Sequence, residues 1–89
     1  MLKISRTEPA PGAVVLQLEG RVMGPWVAEL RQACDHVLAA NPARRLQLQL
    51  ADIEFMDAEG VALLVSLRAG GVSLMDCPPF AKEQLKRGH

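Results

Sequence analysis

The sequence predicts an α/β fold: a small, mostly parallel sheet of about four strands with three helices. Two observations carry this. Arg45–Leu50 alternates strictly, with Leu46, Leu48 and Leu50 against Gln47 and Gln49, which is the period of a strand with one wet face. Around it the segments read strand, strand, helix, strand, helix, strand, helix, an order in which helical crossovers join parallel strands.

The elements follow in turn. Leu2–Arg6 reads as a short strand, ended by the turn-rich Thr7-Glu8-Pro9-Ala10-Pro11-Gly12. Ala13–Glu19 is a second strand, with Val14, Leu16 and Leu18 on one face and Val15, Gln17 and Glu19 on the other. A hairpin joins the two, and Gly20 closes the second. Gly24-Pro25 opens a helix, proline at the first helical position losing no hydrogen bond. Val27, Leu30, Cys34, Val37 and Leu38 then form one apolar stripe, while Glu29, Arg31, Gln32, Asp35 and His36 take the wet side. Asn41-Pro42 is the expected stop. A second helix runs from Asp57 to about Ala69 and ends at Gly70-Gly71. Val72–Cys77 is the last strand, and Pro78-Pro79 starts a final helix over Phe80–Arg87. Two successive strands with polar faces imply helices mainly on one side of the sheet, with water or a partner on the other.

A chain of 89 residues has room for one small domain, 1–89. Its formal net charge of zero argues against nucleic acid, which calls for a basic stripe. Lys3, Arg6 and Glu8 interrupt the N-terminus, so no signal peptide is expected. No window approaches the roughly 20 apolar residues of a membrane span. A cytoplasmic location without membrane insertion is the expectation. Cys34 lies on the apolar stripe and reads as a buried thiol; Cys34 and Cys77 make no CxxC pair, and His36 and His89 lie far apart. No metal or cofactor site is expected.

The turn Asp57-Ala58-Glu59-Gly60 is acidic and opens a helix. Asp57 reads as its N-cap, accepting from the N–H of Glu59 or Gly60, and Glu59 in the first turn suits the helix dipole. Both acids are thus explained without catalysis, and an enzyme is the least favoured class. Gly60 is a poor helix former, which points to close approach of a neighbouring backbone. Val61-Ala62-Leu63-Leu64-Val65 is apolar nearly all round, so an exposed strip including Leu63 or Leu67 is expected. Trp26 reads equally as a residue capping the core edge and as an interface anchor.

Phe55-Met56-Asp57-x-x-Gly60-Val61-Ala62-Leu63-Leu64 resembles the signature segment of STAS domains, the fold of bacterial anti-sigma-factor antagonists. Val15–Arg21, the Gly71-Val72-Ser73-Leu74 strand start and the Pro79-Phe80-x-x-x-x-Leu85 helix fit the same family. The resemblance implies a STAS-like βα superhelix and a non-enzymatic module that docks on proteins. It implies partner-binding residues around the second helix and the loop beside it: Met23, Trp26, Asp57, Ala58, Glu59, Gly60, Val61, Leu63, Leu64 and Leu67. Regulated members carry a phosphorylatable serine or threonine after the Asp; here that position is Ala58, and Met23 stands where an acidic residue is frequent. The chain also ends without the extra strand and helix of many members, which reads as a compact branch of the family or a module shortened from it.

Three functions are consistent with this. The first is an anti-sigma-antagonist-like interaction module, not switchable at Ala58, whose partner is an anti-sigma kinase or a sensor complex. The second is an accessory subunit of an ABC-transporter ATPase, whose members the Gly60–Leu64 run resembles. The third is a small-ligand or nucleotide-binding sensor, for which the sequence offers no phosphate-binding loop. A homodimer is a further arrangement the chain allows.

Overall fold

The computed structural model describes residues 1–40 and 45–87. Seven elements follow in order: β1 (Leu2–Ala10), β2 (Ala13–Val22), α1 (Pro25–Ala40), β3 (Arg45–Met56), α2 (Ala58–Ala69), β4 (Ser73–Met75) and α3 (Pro79–Arg87). They build a four-stranded sheet in the order β1-β2-β3-β4. β1 pairs antiparallel with β2, while β2–β3 and β3–β4 are parallel, as helical crossovers require. The α/β, mostly parallel architecture is therefore as expected.

Val14, Leu16 and Leu18 of β2 and Leu46, Leu48 and Leu50 of β3 are buried together with apolar residues of all three helices. On the other face Gln17 and Glu19 are exposed and Gln47 and Gln49 half-buried. The helices thus cover one side of the sheet. From α1 come Val27, Leu30, Cys34 and Val37, and from α3 come Ala81 and Leu85.

Several element bounds differ from the sequence reading. β1 continues through Glu8 and Pro9 to Ala10 instead of stopping at Arg6, leaving only Pro11-Gly12 for the turn. An edge strand tolerates proline because its missing N–H faces outward, and the register shifts between Thr7 and Ala10. β2 passes Gly20 and ends at Val22. The stop expected at Asn41-Pro42 lies outside the described residues.

β3 is twice the expected length. Alternation fails after Leu50 because the strand bulges: Gln17 pairs with Gln49 but Glu19 with Asp52, and Gly20 pairs with Ile53 but Arg21 with Phe55. Each shift inserts one extra residue into β3. The first is stabilised locally, the Ala51 N–H donating to Gln49 Oε1 at 3.0 Å. Burial then falls on Leu50, Ile53 and Met56, every third residue, and Phe55 is turned outward at 45% exposure.

β4 is shorter than Val72–Cys77. Asp76 turns the chain out of the sheet at φ 52°, its Oδ2 accepting from Gln49 Nε2 at 2.6 Å. α2 ends in a paired-back turn: the Gly71 N–H donates to Arg68 O at 3.1 Å and the Val72 N–H to Leu67 O at 3.0 Å.

A candidate docking site at the start of the second helix

The end of β3 delivers Asp57 beside the end of β2, where its N–H donates to Val22 O at 3.1 Å. Asp57 has extended backbone and is the N-cap of α2. Its Oδ1 accepts the Gly60 N–H at 2.7 Å, one of the two capping bonds expected from sequence. Its Oδ2 accepts the Gly24 N–H at 3.0 Å, which sequence reasoning did not foresee. Gly24 is at φ 56°, a conformation side chains disfavour, and it is the residue just before α1. One carboxylate therefore holds the starts of two helices together. The Gly24 and Gly60 hydrogen bonds hold the Asp57 carboxyl below the usual carboxylate range.

Gly60 meets the expectation of close backbone approach. A Cβ there would run into Val22 O and stand 3.0 Å from Val22 Cγ1. With no side chain between them, α2 begins directly on the end of β2.

The strip expected along Leu63 or Leu67 is not exposed. Leu63 and Leu64 are fully buried and Leu67 is buried, because α2 packs on α1, on α3 and on β3. An all-round apolar helix is satisfied here by neighbours on three sides. Its outward side is built from small or polar residues, Ala58, Glu59, Ala62, Ser66 and Ala69. Leu63, Leu64 and Leu67 accordingly support the surface from beneath and do not line it.

Two shallow grooves flank the Asp57 turn. One, of about 370 Å³, lies between α2 and α3 and is lined by Ala58, Val61, Ala62, Gln84 and Arg87. The other, of about 340 Å³, is lined by Arg21, Met23, Glu54 and Phe55. Ala58 and Glu59 stand exposed, Met23 and Trp26 are half-buried, and Trp26 packs against the core. Gln84 of α3 donates to Met56 O at 3.2 Å, fixing α3 against the end of β3. Sequence reasoning missed Phe55, Ala62 and Gln84; a phenylalanine two positions before Asp57 was the available signal for Phe55.

Elsewhere both cysteines are free thiols, and Cys34 is buried as expected. Burial, with a smaller push from Asp35, raises its pKa to about 11. Among the described residues no helix is long and apolar enough to cross a membrane. Nor do three His, Cys, Asp or Glu side chains gather there as a metal site.

A family model described as "Mlab, STAS domain" matches residues 5–76. The chain belongs to the STAS-domain family. Its fold is similar to that of the anti-sigma factor antagonist SpoIIAA in its unphosphorylated form, with a TM-score of 0.76 and 18% identity over 96% of this chain and 79% of that one. No curated protein matches the chain in sequence.

Proposed function

We propose that this chain is a non-enzymatic docking module that binds another protein through the Asp57 turn and the grooves beside it. The observation that carries the reading is the exposed rim around that turn, where Phe55, Ala58 and Ala62 stand out beside half-buried Met23. A rim that mixes these apolar groups with the charges of Arg21, Glu54, Glu59 and Arg87, on a capped turn, suits protein contact, since little ordering is needed on binding. In SpoIIAA the fold serves an anti-sigma factor antagonist, and the same kind of role is the first reading here.

Ala58 favours a partner that needs no phosphate switch, because the turn Asp57–Gly60 offers no hydroxyl. The first reading is therefore an antagonist-like module without the kinase switch, and the second is a constitutive accessory subunit of a transporter ATPase. Affinity purification of the chain from its native cell, with Ala58→Glu as the control bait, tests both. A partner retained by the wild type and lost by the variant supports docking at the turn. Retention by both baits rules it out, and the identity of the partner separates the two readings.

A further inference from the structure

A further cavity lies at the other end of α2. It is an open groove of about 760 Å³ between the end of α2, β4 and α3. Its floor is apolar, with Val72, Leu74 and Leu85, and its rim carries Arg68, Lys82 and Lys86. Among the described residues none of these three cations is in an ion pair, although the chain as a whole is neutral. The acid next to the groove, Asp76, is bound to Gln49 at 2.6 Å. Cys77 also lines the groove, and Lys82 and Arg68 both act on its thiol electrostatically.

Arg68 and Lys86 sit in last helical turns, where cations are favoured by the helix dipoles alone. Lys82 is in neither last turn, and the dipoles do not explain why all three border one apolar floor. We propose that this groove binds an organic phosphate monoester with an apolar body, the phosphate on Arg68, Lys82 and Lys86 and the body on Val72, Leu74 and Leu85. A phosphate monoester carries about −1.5 to −2 charges at pH 7, which matches several cations better than a single carboxylate does. The guanidinium of Arg68 can take two phosphate oxygens at once. The cavity volume is within the range of small-molecule sites, about 300–1,000 Å³.

The test uses the full chain and three probes: octyl phosphate below its micelle concentration, inorganic phosphate, and octanol. Binding is read from amide shifts in NMR spectra and from alkylation of Cys77 by iodoacetamide, located by peptide mass. Octyl phosphate should give saturable shifts around Arg68, Leu74 and Leu85 and slow Cys77 alkylation at least fivefold. Inorganic phosphate and octanol should each bind at least tenfold more weakly. The triple variant R68Q/K82Q/K86Q changes only exposed side chains and should lose at least tenfold in affinity; Lys82→Gln alone should lose about threefold. A lipid and a soluble metabolite share this chemistry, so vesicles containing phosphatidic acid form a further arm. Co-sedimentation that the triple variant abolishes assigns the site to a lipid headgroup, and octyl phosphate binding without co-sedimentation assigns it to a soluble ester. Octanol binding as tightly as octyl phosphate, or a triple variant that binds unchanged, overturns the proposal. Either result leaves the docking site at the Asp57 turn untouched, since the two sites share no residue.

Discussion

Asp57 and Gly24 are 33 positions apart and joined by one hydrogen bond, the Gly24 N–H donating to Asp57 Oδ2 at 3.0 Å. The other carboxylate oxygen caps α2 through the Gly60 N–H at 2.7 Å. Replacing Asp57 therefore releases two helix starts together. Asp57→Ala should lower the melting temperature by several degrees. Asp57→Asn, which has one acceptor oxygen and no charge, should fall between wild type and Asp57→Ala, as calorimetry would show.

The same two bonds set a pH dependence. They lower the pKa of Asp57 in the folded chain, so the unfolded chain binds the proton more readily. The stabilisation is complete above the ordinary carboxylate range and is lost as pH falls through the lower native value. Melts from pH 6 to pH 2 should show Asp57→Asn losing less stability on acidification than wild type does. Parallel acid limbs would mean that Asp57 contributes nothing to the acid transition.

Gly60→Ala sets two effects against each other. Alanine favours the helix by about 1 kcal/mol. The new methyl would meet the Val22 backbone carbonyl, and overpacking against backbone costs about 1–3 kcal/mol. The clash should win, giving net destabilisation in urea unfolding. A stabilised variant would show that α2 shifts away from β2 without cost.

The two faces of α2 should separate cleanly by mutation. Leu64 is fully buried, and Leu64→Ala should cost about 2–5 kcal/mol. Ala62 is exposed, and Ala62→Gln should change stability by less than about 0.5 kcal/mol. Urea unfolding of both variants measures this.

How much of this was readable in advance depends on what each feature rests on. The Leu46–Leu50 alternation and the α1 stripe are local periodicities, and each lies in an element of the predicted type. Asp57 as a cap and Gly60 as a close approach follow from residue chemistry at a helix start. The rest of β3 was not readable, because two bulges replace the period of two and make Ala51–Met56 look like a turn. Nor was the burial of Leu63 and Leu67, which depends on α1 and α3 flanking α2 and not on the α2 sequence. The Gly24–Asp57 bond was hidden for a similar reason: neither residue alone announces a partner in the other loop.

The turn should also stay unphosphorylated. Ser5, Thr7, Ser66 and Ser73 are the hydroxyl residues of the chain, and Asp57–Gly60 contains none. After incubation with a cognate anti-sigma kinase, intact-mass measurement should show no stoichiometric phosphate. Phosphate on Ser66, exposed on the outward side of α2, would mean that a switch operates further along the same helix. Ala58→Ser should fold normally and tests whether a restored hydroxyl is accepted.

If a protein partner docks on the surface around Ala58, Ala58→Glu should disrupt it. Ala58 is exposed in the first turn of α2, so a glutamate there meets no packed neighbour and sits where the helix dipole favours negative charge. The variant should keep the wild-type circular dichroism spectrum and melting temperature. Titration calorimetry against the partner recovered with the wild-type bait should then show affinity reduced at least fivefold. Unchanged affinity with an intact fold would rule out docking there and move the docking surface elsewhere, to the polar sheet face of Gln17, Gln47 and Gln49.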